Sequence, residues 1–242
     1  MKIYAVGLGP GNTDYLTPRA REAILQSDVI VGYTGYVKLI AELVSGKEII
    51  ATGMKKETER CEAAINEALK GKQVSVVSGG DSGIYGMAAL LYELTRKNPM
   101  IEIEVIPGIT AAVSVAAILG SPLTNDFAVI SLSDLLTPWD IIEKRLEVCG
   151  AADMVLCLYN PESNNRNGYL EKACAITLRH KTPETMCGYV RNAFRGNNSE
   201  SRVCTLAELS KARVDMFTTV IIGNSSTEII NGKLVTPRGY RL

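Results

Sequence analysis

The stretch "QVSVVSGGDSGIYGM", residues 73–87, sets an apolar run of strand length directly before a glycine-rich turn that contains one carboxylate, Asp81. The run from Gln73 to Val77 has the length and the valine content of a buried strand. Beyond the turn, apolar residues recur at helical spacing at Met87, Leu90, Leu91 and Leu94. A strand, a turn and an amphipathic helix in this order form the repeating unit of a parallel α/β sheet.

The same alternation runs through the first half of the chain. A helix is predicted to begin at Thr17-Pro18, because threonine can cap free amides and proline loses no hydrogen bond at the first helical position. A second helix follows from Cys61, Ala64, Ile65, Ala68 and Leu69. Four further strands are predicted at Lys2 to Val6, Val29 to Val31, Ile49 to Ala51 and Glu102 to Ile106. Strands this apolar need cover on both faces, so the sequence predicts an α/β fold with a parallel sheet between two helical layers.

The spacing of the predicted elements changes after "AILGSPLTND", residues 117–126. Strands are predicted in the second half at Phe127 to Ser131, Met154 to Tyr159, Thr185 to Val190 and Thr218 to Ile222. The Gly-Ser-Pro turn at 120–122 is the predicted boundary between an N-terminal α/β domain, 1–119, and a C-terminal α/β domain, 120–242. Two α/β halves of similar size would leave a cleft between them.

The composition is that of an ordinary globular protein. Of 242 residues, 46% are hydrophobic and 21% are charged, and 26 basic residues balance 26 acidic ones. A net charge of zero gives no general attraction to nucleic acid. We therefore expect no nucleic-acid partner.

Cysteine and histidine usage argues against a metal site. The six cysteines never come in the close pairs that chelate zinc or iron–sulfur clusters, and the only histidine, His180, is interpreted as a helix C-terminal residue. Cysteines among apolar neighbours are typical of reduced thiols in a cytosolic protein. The N-terminus lacks the pattern of a secretion signal, and the most apolar helix candidate, Ile109 to Gly120, is too short to cross a bilayer. We expect a cytoplasmic protein with no membrane partner.

Three glycine turns follow predicted strands: "GLGPG" (7–11), "SGGDSGIYG" (78–86) and "PGITAA" (107–112). In an open parallel sheet, ligands bind at the carboxyl edge of the strands, where such turns converge. A dinucleotide fingerprint is absent, since Pro10 breaks the required glycine spacing. Asp81 is placed to accept hydrogen bonds from a hydroxyl or ammonium group of a ligand. The alternative is that Asp81 caps a helix around Ile84 to Lys97.

Four segments are together similar to a known family: "VGLGPGNTDYLTPRA" (6–20), "SGGDSGIYGMA" (78–88), "VIPGITAAVSVAAILGSPLTNDFAVISLSDLLTPW" (105–139) and "LCLYNPES" (156–163). They resemble the tetrapyrrole (corrin/porphyrin) methylases, which use S-adenosylmethionine, and within them the precorrin-3B C17-methyltransferases of cobalamin synthesis. The resemblance covers Lys2 to about Thr227. One departure is Ser82, where family members often have proline, and we expect it to loosen the turn.

The resemblance implies a two-domain tetrapyrrole methylase fold with a mixed α/β C-terminal domain, S-adenosylmethionine in the cleft, and a homodimer. The residues implied around the cofactor are Gly79, Gly80, Asp81, Ile84, Tyr85, Thr110, Ala111, Leu158, Tyr159, Gly188, Tyr189, Asn224, Ser225 and Thr227. The tetrapyrrole substrate would lie over Gly9, Pro10 and Gly11 and against Ser133. C17 methylation in this family accompanies contraction of the macrocycle, which requires proton movement. The candidate catalytic residues for that step are Asp134, Tyr159 and Asn160.

The carboxylate arms of such a substrate require paired donors, which arginine supplies as a planar fork. Arg191 and Arg195, in "YVRNAFRGNNS" (189–199), are the candidates, and plain solvated surface charge is their alternative.

Other functions stay open beside this one. Another tetrapyrrole methylase, such as the uroporphyrinogen enzyme, and the related diphthine synthase are disfavoured by "LTPW" and "LYNPES". A noncatalytic nucleotide-binding module would bind the cofactor without turnover. Both metal-free precorrin-3B and its cobalt-bearing counterpart fit the sequence as substrates.

Overall fold

The structure, a computed structural model, describes residues 1–163 and 167–241 and divides the chain into two compact units, Met1–Thr110 and Ala111–Leu242. The strands are β1 (Lys2–Gly7), β2 (Val29–Tyr33), β3 (Glu48–Thr52), β4 (Val74–Ser78), β5 (Glu102–Ile106), β6 (Gly120–Ser121), β7 (Phe127–Ser131), β8 (Val155–Tyr159), β9 (Met186–Arg191), β10 (Glu200–Thr205), β11 (Thr218–Ile222), β12 (Glu228–Ile230) and β13 (Lys233–Val235). The helices are α1 (Pro18–Gln26), α2 (Thr34–Leu39), α3 (Glu57–Leu69), α4 (Ala88–Thr95), α5 (Ala111–Leu119), α6 (Trp139–Ala151), α7 (Tyr169–Thr177) and α8 (Leu206–Leu209).

The first unit is built on a five-stranded sheet in the order β3-β2-β4-β1-β5, in which every neighbouring pair is parallel. Successive residues of a strand face opposite sides. Ile3 and Ala5 of β1 therefore pack with α3 and α4, whereas Tyr4 and Val6 pack with α1 and α2. The predicted parallel sheet with helices on both faces is confirmed.

The first helix begins as the sequence predicts. The Thr17 side chain accepts a hydrogen bond from the Ala20 amide at 3.1 Å, and Pro18 occupies the first helical position. This cap removes one of the unpaired amides that every helix start exposes.

The second unit contains a mixed sheet in the order β10-β9-β11-β8-β7. β7 and β8 are parallel, and the other neighbouring pairs are antiparallel. Along β8, Leu156 and Leu158 pack with α6, α7 and α8, whereas Val155 and Cys157 pack with α5. A small third sheet has the order β12-β13-β6. The predicted mixed α/β architecture of the second half is confirmed.

The two units meet in sequence before α5, whereas the sequence prediction placed the domain boundary after this helix. α5 belongs to the second unit because its residues Val115 and Leu119 pack against β9 and β11. The predicted strands agree with the structure to within two residues at each end, but β6, β10, β12 and β13 were not predicted. β10 is an edge strand whose exposed start, Glu200–Arg202, has no apolar residue, and β6, β12 and β13 are only two or three residues long, too short to show a periodic pattern.

No helix within the described ranges is both long enough and apolar enough to span a membrane.

Candidate active site

The three glycine turns of the first unit meet at the carboxyl edge of its sheet, because β4, β1 and β5 are neighbours. Gly9 and Gly80 exchange two backbone hydrogen bonds, with N–O distances of 3.0 and 2.7 Å. A Cβ atom on Gly108 would lie 2.2 Å from the Gly80 carbonyl oxygen, and one on Gly7 would lie 2.6 Å from the Gly108 nitrogen. The turns pack backbone against backbone at distances that only glycine allows.

Asp81 joins two of these turns. Its Oδ1 accepts a hydrogen bond from the Gly83 amide at 2.8 Å, and its Oδ2 accepts one from the Gly108 amide at 2.9 Å. These two hydrogen bonds fix the side chain in place. Each carboxylate oxygen has two acceptor sites, so the side chain can still accept a hydrogen bond from a ligand. The alternative that Asp81 caps a helix is wrong, since α4 begins at Ala88 with Met87 as its N-cap.

Ser82 anchors the same turn to the sheet. Its side chain is buried, and Oγ donates to the carbonyl oxygen of Ala5 in β1 at 2.8 Å. Its own carbonyl oxygen accepts from the Ala88 amide at 3.0 Å, at the start of α4. The expectation that serine would loosen the turn is wrong, because the hydroxyl supplies a hydrogen bond that proline cannot make.

The tip of the turn projects outward. Ile84 and Tyr85 are 41% and 59% exposed. Tyr85 has a φ of 53°, a left-handed conformation that costs an aromatic residue of order 1 to 3 kcal/mol and that is found mainly at functional turns. The exposed, strained tip beside bare backbone is suited to ligand contact.

The remaining candidate binding residues of the first unit are less exposed than Ile84 and Tyr85. Gly9 and Pro10, predicted under the tetrapyrrole, are buried, and Gly11 is half-buried. Gly79 has no room for a side chain, because a Cβ atom there would lie 2.6 Å from the Tyr36 ring. Thr110, the last residue of the unit, is half-buried.

In the second unit, the carboxyl ends of β7 and β8 are tied together. The Leu132 amide donates to the Tyr159 carbonyl oxygen at 2.8 Å, and Asn160 Nδ2 donates to Ser131 Oγ at 2.9 Å. The Tyr159 hydroxyl accepts from the Ala112 amide at 2.6 Å. Tyr159 therefore braces β8 against α5, whereas Asn160, the next residue in the chain, ties the end of β8 to the end of β7.

Asp134 follows β7 at the same edge. The Ser133 amide donates to Ser131 Oγ at 3.2 Å, and Asp134 Oδ2 accepts from the Tyr169 hydroxyl at 2.6 Å. The next two residues, Leu135 and Leu136, are 65% and 93% exposed. Asp134 thus stands at the base of an exposed apolar loop.

Arg191 ends β9, which runs in the same direction as β8, so it lies at the same edge as Tyr159. Its Nε donates to Asp215 Oδ2 at 2.7 Å, and this hydrogen bond raises the pKa of the guanidinium. Burial raises the pKa of Asp215, but hydrogen bonds from Arg191 and Thr218 outweigh it and leave that pKa below its usual range. The ion pair orients the guanidinium through Nε. Arg195 is half-buried in the turn that follows β9.

The other cofactor candidates of the second unit do not all lie together. β11 runs antiparallel to β8 and β9, so Asn224, Ser225 and Thr227 lie at the opposite edge of the sheet from Tyr159. Four residue steps of strand separate the two edges by about 13 Å. Ser225 is bound there by Asp153, whose Oδ2 accepts from its hydroxyl at 2.6 Å.

Four cofactor candidates lie within strands or at a helix start rather than in loops. The Leu158 side chain is fully buried in the core. Gly188 packs against Leu119 of α5, whose Cδ1 atom would lie 2.8 Å from a Cβ atom at Gly188, and Tyr189 is half-buried on the opposite face. Ala111 is the first residue of α5 and is half-buried.

Two residues were missed by sequence reasoning. Arg60 of α3 is buried, and it donates from Nε to Thr52 Oγ1 and from Nη2 to the Gly53 carbonyl oxygen, both at 2.9 Å. Its Nη1 lies 3.6 Å from Met87 Sδ, so it links the end of β3 to the start of α4. Tyr169 is the other, and it contacts Asp134 across 35 residues of chain. Neither residue belongs to a sequence motif or a periodic pattern, because the contacts that both make form only when the chain folds.

Residues 2–210 match the model of the tetrapyrrole (corrin/porphyrin) methylase family. The chain belongs to this family. A probable cobalt-factor III C(17)-methyltransferase of Salmonella typhimurium LT2 is 44% identical to this tetrapyrrole methylase over 241 residues, 99% of this chain and 100% of that protein. A cobalt-factor III methyltransferase of Priestia megaterium is also 44% identical, over 99% of this chain but 45% of that protein. The chain therefore spans less than half the length of the second relative.

Among solved structures, the methyltransferase CobJ is 34% identical to this tetrapyrrole methylase and has a TM-score of 0.89, covering 98% of each chain. The family and fold predicted from the sequence motifs are confirmed. The assignment of individual residues to cofactor or substrate stays a prediction.

Proposed function

We propose that this tetrapyrrole methylase transfers the methyl group of S-adenosylmethionine to C17 of cobalt-factor III, or of its metal-free counterpart precorrin-3B, with contraction of the macrocycle in cobalamin biosynthesis. Two relatives whose names specify cobalt-factor III, each 44% identical over 99% of this chain, support the cobalt-bearing substrate as the first to test.

The observation that carries the proposal is the bare backbone where the glycine turns meet. Side chains on Gly7 or Gly108 would push the neighbouring turns apart, and Asp81 is held there with acceptor capacity remaining. Half-buried main chain at Gly79, Gly80 and Gly108, beside one fixed carboxylate, fits a ligand that combines flat groups with ammonium and hydroxyl donors, as S-adenosylmethionine does. These residues fit the cofactor that the family uses.

S-adenosylmethionine supplies a methyl group already activated by its sulfonium charge. The protein's task is therefore alignment, which can contribute on the order of 7 to 11 kcal/mol. Asp81 and the turn of Gly79 and Gly80 would bind the cofactor, and the exposed tip at Ile84 and Tyr85 would cover it from water.

Two polar groups of the second unit would act on the substrate. Arg191 is oriented through Nε by Asp215, so its terminal nitrogens would bind a substrate carboxylate. Asp134 would accept a proton during ring contraction, because Oδ2 is fixed by Tyr169 and Oδ1 retains acceptor sites.

The test is incubation of the purified protein with methyl-labelled S-adenosylmethionine and, separately, cobalt-factor III, precorrin-3B and uroporphyrinogen III. We expect label and a mass gain of one methyl group only with the first two, together with the absorbance change of a contracted ring. Transfer to uroporphyrinogen III alone would favour another methylase of the family. Tight cofactor binding without transfer to any of the three would favour a noncatalytic module.

We also propose that the protein acts as a homodimer in the cytoplasm. Buried thiols without disulfides, as at Cys157 and Cys174, support a reducing compartment. Sedimentation equilibrium checks the assembly, and a mass of one chain, 26.2 kDa, at micromolar concentration would contradict it.

A further inference from the structure

The loop that carries Asp134 is held in place by few hydrogen bonds to the rest of the described chain. Its first residues are anchored, since the Ser133 amide donates to Ser131 Oγ at 3.2 Å. Over the described part of the chain, residues 134–137 make no backbone–backbone hydrogen bond. The hydroxyl of Tyr169, 2.6 Å from Asp134 Oδ2, is the contact that fixes this segment.

The Tyr169 ring is itself held from two sides. Trp139, the first residue of α6, packs edge-on against it with ring centroids 4.8 Å apart and an interplanar angle of 63°. Lys172 Nζ lies 5.0 Å from the Tyr169 ring centroid and 5.6 Å from that of Trp139. Aromatic and cation–π contacts of this geometry are each worth about 1 kcal/mol, so the ring has little freedom to rotate.

The start of α7, where Tyr169 lies, is fixed as well. Glu162 Oε1 accepts from the Gly168 amide at 3.0 Å and from the Leu170 amide at 3.3 Å. A carboxylate that accepts amides at the beginning of a helix both satisfies them and complements the helix dipole. Glu162 comes two residues after Asn160, so the same segment sets the end of β8 and the position of Tyr169.

We propose that Tyr169 is a positioning residue for Asp134 in the ring-contraction step. This inference rests on the proposed function. The Tyr169 hydroxyl keeps its own proton and donates to Oδ2, which leaves Oδ1 to act on the substrate. In that step the bond between the substrate's donor atom and its hydrogen breaks, an Oδ1–H bond forms, and the electron pair of the broken bond stays on the substrate for the rearrangement, so no group is oxidised or reduced.

The assignment distinguishes two stages of the reaction. Methyl transfer needs alignment and little acid or base help, so it does not depend on Asp134. Ring contraction requires the proton to move, so it depends on how the carboxylate is held. Loss of the Tyr169 hydroxyl should therefore slow the second stage and spare the first.

The test compares Tyr169→Phe, Asp134→Asn and the double variant, with Tyr92→Phe as the matched control. Tyr92 is an exposed tyrosine of α4 whose hydroxyl makes only a long contact of 3.4 Å to the Ile103 carbonyl oxygen. Label transferred from S-adenosylmethionine measures methylation, and the absorbance change of the macrocycle measures contraction. Urea unfolding of all variants measures the coupling of the two side chains independently of activity.

We expect Tyr169→Phe to slow contraction about 10- to 100-fold, as loss of a hydrogen bond to a carboxylate predicts. Methyl transfer and the KM for S-adenosylmethionine should stay within about twofold, and methylated, uncontracted product should accumulate. In the Asp134→Asn background the same change should have no further effect, because Tyr169 acts through Asp134.

Three results would overturn the assignment: contraction at the wild-type rate in Tyr169→Phe, equal loss of both stages, or an undiminished effect in the Asp134→Asn background. A wild-type protein that methylates no tetrapyrrole would refute the proposed function instead. In that case the unfolding free energies of the two single variants and the double variant still decide whether Tyr169 and Asp134 are energetically coupled. If the two single substitutions lower stability additively, the positioning role would also be rejected.

Discussion

The close approach of Gly108 to Gly80 makes Gly108→Ala the sharpest probe of the proposed cofactor site. The new Cβ atom would lie 2.2 Å from the Gly80 carbonyl oxygen, far inside van der Waals contact. The two turns must separate by roughly 1 Å to relieve it. Because the Gly108 amide donates to Asp81 Oδ2 at 2.9 Å, a shift of that size breaks the hydrogen bond.

Both effects lower stability. Overpacking costs about 1 to 3 kcal/mol. Loss of a hydrogen bond to a carboxylate costs about 1.5 to 3 kcal/mol. Together they predict a decrease of about 2.5 to 6 kcal/mol in the free energy of unfolding of Gly108→Ala. Displacement of Asp81 should also weaken S-adenosylhomocysteine binding by about 10- to 100-fold, as loss of a hydrogen bond to a carboxylate predicts.

Urea unfolding and isothermal calorimetry with S-adenosylhomocysteine measure the two quantities. Gly53→Ala is the matched control, since no atom lies within 4 Å of its Cβ position and its φ lies outside the left-handed range. We expect that variant to unfold at or slightly above the wild-type midpoint. A Gly108→Ala protein with wild-type stability and wild-type affinity would refute the packing argument.

Three further predictions concern single side chains. Arg191→Ala should raise the KM for the tetrapyrrole about 10- to 100-fold and leave that for S-adenosylmethionine nearly unchanged, and equal changes in both would count against substrate binding. Lys181→Met removes a buried ammonium from Asp153; the lysine side chain is 2% exposed and that of Asp153 is 44% exposed. Because the carboxylate can still be solvated, we expect the free energy of unfolding at pH 7 to fall by only about 1 to 3 kcal/mol. Burial raises the pKa of Asp153, but hydrogen bonds from Lys181 and Ser225 leave it lowered, so the pair stabilises the fold above the ordinary aspartate pKa of about 3.9. The stability difference between wild type and Lys181→Met, followed by urea unfolding, should shrink as the pH falls below that value, and a difference that persists would contradict the ion-pair assignment. Iodoacetamide at pH 7.5 should label the native protein once, at Cys149, since burial raises the pKa of thiols such as Cys157 to about 12; mass spectrometry showing more than one label, or a label on Cys149→Ser, would disprove this.

The sheet of the first unit was predictable because its signals are local. Valine-rich runs such as residues 74–77 alternate with helical periods, and each glycine turn directly follows a strand. The cap at Thr17 has the same local character. In the second unit, the exposed start of β10 has no apolar residue and β12 is only three residues long, so no periodicity marks them.

The candidate site was predictable only in part. The combination of glycines and one carboxylate in a single turn indicated Asp81 as a binding residue. Its hydrogen-bond partner at Gly108, however, is 27 residues away along the chain. The hydroxyl of Ser82 bonds to Ala5, 77 residues away, and for that reason the expected looser turn was wrong. Candidates chosen along the sequence, such as Asn224 and Tyr159, are separated because β11 runs antiparallel to β8.

By itself the amino-acid sequence determined the α/β class, the parallel sheet of the first unit and membership of the methylase family, because all three depend on local patterns of apolar residues, glycines and short motifs. The tertiary structure alone decided which side chains meet. Strand order brings Gly7, Gly80 and Gly108 into contact, and the packing of α6 and α7 brings Tyr169 to Asp134. Contacts between residues far apart in sequence form only when the strands and helices pack, so no local pattern encodes them.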